Sequence, residues 1–139
     1  MTKEEQQKIE AACKYFRDDN LRTYRTDRHV EMLLPMLYDD NDGACVFITP
    51  KSDGFVKVSD GGEMSFHQML TMENIRDLCM RYNLQREDMP DDDPPFECEI
   101  FDVVDIDDLD HAIWGIIMAI RDSYEYVMAN RIISRIERR

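Results

Sequence analysis

The chain has 139 residues, 43% of them hydrophobic, and a formal net charge of −13 from 30 acidic against 17 basic residues. That length suits one globular domain spanning residues 1–139. The charge opposes direct nucleic-acid binding, which rests on Lys and Arg neutralising phosphates, and favours basic partners or imitation of a polyanion.

Met1 to Phe16 lacks the apolar core of a signal peptide. No run approaches the roughly 18 apolar residues of a membrane helix, so a cytoplasmic location without membrane contact is expected. Residues 3–19 predict a helix, because Ile9, Ala12, Cys13 and Phe16 recur at spacings of three and four. Thr23 to Arg28 is polar and reads as a connection. His29 to Tyr38 is apolar but holds Pro35, which suits an extended segment with an irregularity at the proline. Asp39 to Gly43 is a turn, since Asn, Asp and Gly tolerate left-handed backbone. Ala44 to Thr49 reads as a strand, Lys51 to Gly54 as a second turn, and Phe55 to Ser59 alternates as a half-buried strand does. Asp60-Gly61-Gly62 ends it, and the three strands form a meander.

Ser65 to Leu70 predicts a short helix. Thr71 is placed to cap a second one, with Ile75, Leu78, Cys79 and Tyr82 on its inner face. Gln85 to Pro95 is rich in Asp and Pro and reads as a loop. Phe96 to Val104 alternates as an edge strand or one with a solvated face. From about Asp107 a long helix follows, its apolar face running from Leu109 through Ile113, Ile116, Ile117, Ile120, Tyr124 and Val127 to Met128. Its ends carry the charges that the helix dipole favours, Asp107, Asp108 and Asp110 at the start and Arg131, Arg135, Arg138 and Arg139 at the finish. The fold class is α+β: a small antiparallel sheet, a meander plus one later strand, flanked by helices, with the long C-terminal helix across it.

With these elements in order, the stretch Phe55-Val56-Lys57-Val58-Ser59-Asp60-Gly61-Gly62-Glu63 resembles the strand and aspartate-glycine turn of the domain of unknown function 1828 family, small proteins of prophages and mobile elements. The apolar segment Phe66 to Leu70, the helix Met72 to Leu84, the acidic strand Glu97 to Val104 and the long helix Leu109 to Met128 follow in the family's order. Family members often carry two adjacent aspartates before the glycine, where this chain has Ser59 and Asp60. The resemblance implies a phage or mobile-element accessory protein and carries over no catalytic residue.

The constellations that could bear chemistry are few. Glu31, Asp60 and Glu63, with Lys57, are candidates for a metal-dependent hydrolase or nuclease, which would use carboxylates to hold Mg²⁺ and activate water. Phe55 stands where the acid of an acid-x-Lys pair would be, and Asp60 in a glycine turn has a structural reading of its own. His29, His67 and His111 show no metal-ligand spacing. Cys13, Cys45, Cys79 and Cys98 form no CxxC pair and read as reduced, buried thiols. No catalytic residue, cofactor or metal is therefore assigned.

The acidic run from Glu87 to Asp110 contains no Lys or Arg. Its residues Glu87, Asp88, Asp91, Asp92, Asp93, Glu97, Glu99 and Asp102 are the candidate surface for a host protein, one that handles nucleic acid with a basic groove. Ile132, Ile133 and Ile136 extend the apolar face of the last helix past the expected edge of the domain. They are candidates for pairing with a second copy, which makes a self-associating assembly protein a further alternative.

Overall fold

The computed structural model describes residues 1–12, 23–25, 28–87 and 97–137. Helix α1 (Lys3–Ala12) is followed by β1 (Thr23–Arg25), β2 (Val30–Leu37), β3 (Gly43–Pro50) and β4 (Phe55–Ser59). Then come α2 (Glu63–His67), α3 (Met72–Tyr82), β5 (Gln85–Arg86), β6 (Ile100–Asp105) and α4 (Leu109–Glu137). The strands form one six-stranded sheet in the order β1-β2-β3-β4-β6-β5, with every pairing antiparallel. The α+β class and the long C-terminal helix stand as the sequence predicts. The meander is β2-β3-β4, and β6 is the later strand beside it.

The irregularity at Pro35 is present. The β2–β3 register shifts between Leu33 and Leu37, around a proline that has no N–H to give the ladder. The turn after β3 is a 3-10 turn at Ser52–Gly54 in which Asp53 takes positive φ. Thr71 caps α3 in a reciprocal box: its hydroxyl accepts from the Asn74 N–H at 3.2 Å, and its own N–H donates to the Asn74 side chain at 3.1 Å.

Other boundaries differ from the sequence reading. Thr23–Arg25 is not a connection but an edge strand, paired with Val30–Met32. Gln85 and Arg86, expected in a loop, pair with Phe101 and Ile100 as β5. The short helix begins at Glu63 rather than Ser65. Strand β6 begins at Ile100 and not at Glu97, because β4 ends at Ser59 opposite Phe101 and offers no ladder to residues 97–99; Phe96 lies outside the described residues. Positions 13–19 of the first predicted helix, with Cys13 and Phe16, lie outside the described residues. So does most of the acidic loop.

One face of the sheet is covered. Val30, Met32, Ala44, Val46, Ile48, Val56, Val58 and Ile100 point into a core completed by Ile9 of α1, Ile75 and Leu78 of α3, and Ile113, Ile116 and Ile120 of α4. Helix α4 packs on β4, β6 and α3. The opposite face presents Glu31, Cys45, Phe47, Thr49 and Lys57 half-buried, and Phe55 exposed. The apolar face of α4 is buried as far as Val127, but Met128, expected on it, is exposed.

Candidate functional site

The turn after β4 joins three parts of the chain. Asp60 is fully buried, and its carboxylate accepts three backbone N–H bonds: Gly62 and Ile100 at 2.9 Å each on Oδ1, and Met64 at 3.1 Å on Oδ2. Ser65 Oγ donates to the Gly62 carbonyl at 3.0 Å and accepts from the Cys98 N–H at 2.8 Å. The turn thus ties β4, α2 and the approach to β6 together. Gly61 and Gly62 both have positive φ, and a Cβ on Gly61 would lie 2.6 Å from the Phe47 ring. Burial pushes the Asp60 carboxyl up to about 7, against the pull of the three amides.

That geometry uses up the carboxylate that a metal would need. Glu31 bonds His29 at 2.9 Å, and Lys57 is paired with Glu99 at 2.5 Å. Glu63 is half-buried, and burial raises its carboxyl. Among the described residues no three His, Cys, Asp or Glu side chains are grouped so that they could hold a metal ion. Glu31, Asp60 and Glu63 therefore do not converge as a metal-binding triad. Cys45, Cys79 and Cys98 are in no disulfide, the last two are buried, and burial pushes the Cys45 thiol up to about 11.

The acidic run divides between two faces of the sheet. Glu87 and Glu97 are exposed. Glu99 turns onto the uncovered face, where it binds Lys57 and accepts from Ser59 Oγ at 2.8 Å. Asp102, paired with Val58, lies on the helix side, half-buried, and burial raises its carboxyl. Asp88, Asp91, Asp92 and Asp93 lie outside the described residues. The predicted residues do not form one continuous face, because side chains three positions apart near a strand point to opposite sides.

Several basic groups are occupied by acids of the same chain. Arg81 reaches Asp77 at 2.9 Å, Glu125 at 3.3 Å and Asp122 at 3.4 Å. Arg121 reaches Asp122 at 3.1 Å, and Arg131 reaches Asp39 at 2.5 Å. Glu87, Glu97, Asp107 and Asp108 have no ion-pair partner among the described residues. The β2–β3 turn is held by α2, whose His67 lies 2.5 Å from Asp40 and stacks on Tyr38.

Apolar side chains are exposed at several places, Phe55, Phe66, Met69 and Met80 among them, and two such surfaces lie on α4. On the last turns of α4, Ile132, Ile133 and Ile136 are 54%, 52% and 65% exposed, as the sequence reading placed them. The other was not foreseen: Trp114, on the outer side of α4, is 50% exposed beside a groove against α3. The available signal was a lone tryptophan one position out of register with the stripe through Ile113, Ile116 and Ile120.

Among the described residues no helix is long and apolar enough to cross a membrane. Comparison with family models, curated proteins and solved structures finds no match for this chain. The resemblance to the domain of unknown function 1828 family rests on the residues alone.

Proposed function

We propose that this chain is a non-catalytic accessory protein, of the phage or mobile-element kind its resemblance implies, that acts in the cytoplasm by binding a host protein through an acidic surface. The host protein is one that handles nucleic acid in a defence complex, and binding inhibits it. What supports this is an imbalance of charge. Lys57, Arg81, Arg121 and Arg131 are spent on carboxylates of their own chain, while exposed Glu87 and Glu97 stand without a cationic partner among the described residues. A surface of this kind attracts the basic groove that otherwise holds phosphates.

The test is capture from a host lysate at low salt, with wild-type protein and with Glu87→Lys/Glu97→Lys. The expected outcome is recovery of nucleic-acid-binding proteins that added duplex DNA releases, with recovery reduced by the double variant. An empty capture, or the same proteins on both baits, would overturn the proposal.

A second reading, self-association, is favoured by the exposed isoleucines of α4. A helix end with that much apolar surface in water gains by pairing, and a second copy offers the same surface in a two-fold arrangement.

A further inference from the structure

The outer side of α4 carries a row that repeats every seven residues. Trp114, Met118, Arg121, Glu125, Met128 and Ile132 follow one another at alternating spacings of four and three, which is the seam spacing of paired helices. They lie across the helix from its buried row, Ala112, Ile116, Ala119, Ser123 and Val127. Trp114, Met128 and Ile132 are 50%, 53% and 54% exposed. Arg121 and Glu125 are exposed as well, and Met118 is half-buried.

The order of chemistry along this row decides what fits it. Two apolar residues stand on each side of a central Arg121 and Glu125. Read from either end, the row runs apolar, apolar, charged, charged, apolar, apolar. Reversal exchanges the positive charge with the negative, so the row complements its own copy when that copy is turned round.

We propose that α4 pairs along this row with α4 of a second copy, antiparallel about a two-fold axis. Met118 then stands opposite Met128 of the second copy, Trp114 opposite its Ile132, and Arg121 opposite its Glu125. This rests on the self-association reading above and extends the contact from the helix end along the outer face. A parallel two-fold pair sets Arg121 against Arg121 and Glu125 against Glu125, like charges that repel across a seam. Sliding the antiparallel pair by one heptad sets Arg121 against Ile132, or Trp114 against Glu125, and leaves a charge facing an apolar side chain. Asp122 bonds Arg121 at 3.1 Å, and Arg81 bonds Glu125 at 3.3 Å. Across the axis these become a chain of alternating charges, Asp122 and Arg121 of one copy, then Glu125 and Arg81 of the other. The helix ends agree with the same register, because exposed Arg135 comes beside Asp110 at the start of the other α4.

The single tryptophan reports on this face directly. The full chain is concentrated stepwise while Trp114 emission and light scattering are followed together. The emission is expected to move to shorter wavelength as the mass rises above the 16.5 kDa of one chain. The register is read by oxidation of Met118→Cys and Met128→Cys, alone and mixed, with the unsubstituted chain as baseline. The mixture should give a covalent dimer above that baseline. Neither variant should do so alone, because the two copies of either position lie about 15 Å apart along the axis, beyond the roughly 7 Å between Cα atoms that a disulfide spans. Circular dichroism confirms that each variant is folded, and the wild-type emission decides where one is not.

A dimer whose Trp114 emission stays fixed overturns this pairing and leaves self-association through the isoleucines standing. So does a dimer in which each variant cross-links with itself and the mixture gains nothing. A monomer at every concentration removes both.

Discussion

Asp60 is under two opposed pressures. Burial disfavours its charge, and three backbone N–H groups favour it. Because the folded carboxyl titrates at about 7, against 3.8 as its ordinary value, the native state holds a proton that the unfolded chain has released. The stability contributed by this group is therefore full below about pH 4 and drains as pH rises through 7, by at most about 1.4 kcal/mol per pH unit. Asp60→Asn removes that titration and leaves one of the three amides facing an N–H₂ group. It should cost roughly 1–3 kcal/mol in urea unfolding near pH 5, and the gap to wild type should narrow towards pH 7. Parallel profiles would show that Asp60 does not titrate in this window. Asp40 has the opposite sign: its hydrogen bond with His67 lowers its carboxyl, so what it contributes is lost as pH falls. The sequence showed Asp60 as either a metal-holding carboxylate or a turn-former. The choice lay in where its oxygens point, and the three amides come from two segments, Gly62 and Met64 beside it and Ile100 some forty positions away.

At the level of elements, α3 was the most legible. Its cap, its period and its inner face are local properties, and Ile75, Leu78 and Cys79 are buried as the spacing predicts. Thr71→Ala should destabilise the protein by about 1 kcal/mol, read as a lowered midpoint in thermal or urea unfolding, because the Asn74 amide at the helix start loses the hydroxyl it donates to. An unchanged midpoint would mean that neighbouring packing, not the cap, fixes this helix start. The edge strands were not legible. Thr23–Arg25 and Gln85–Arg86 are short and polar, and nothing local marks them as extended; β2 and β6 make them strands by offering ladder hydrogen bonds. The start of β6 failed for the converse reason. Residues 96–99 continue the alternating pattern, but the neighbouring strand has already turned away at Asp60.

For the whole molecule, the length of α4 is the informative quantity. Its 29 residues span about 44 Å at 1.5 Å per residue. The core is used up by Val127, which leaves the final turns with exposed isoleucines. If these pair with a second copy, light scattering should give a mass that rises above the 16.5 kDa of one chain as concentration increases. Ile132→Asp/Ile136→Asp should then remain a folded monomer, with stability close to that of the wild-type monomer, since neither side chain is in the core. A wild-type monomer at high concentration would remove the self-association reading.

By itself, the sequence determined the α+β class, the meander and its turns, the cap of α3 and the existence of a long final helix. Each follows from contacts or conformational preferences within a few residues of chain. Only the tertiary structure decided that Asp60 is a buried turn-former, that Glu99 and Asp102 lie on opposite faces, and that Trp114 borders a groove. Each of these depends on which distant segments are brought together, and a one-dimensional pattern does not encode the direction in which a side chain meets its neighbour across the fold.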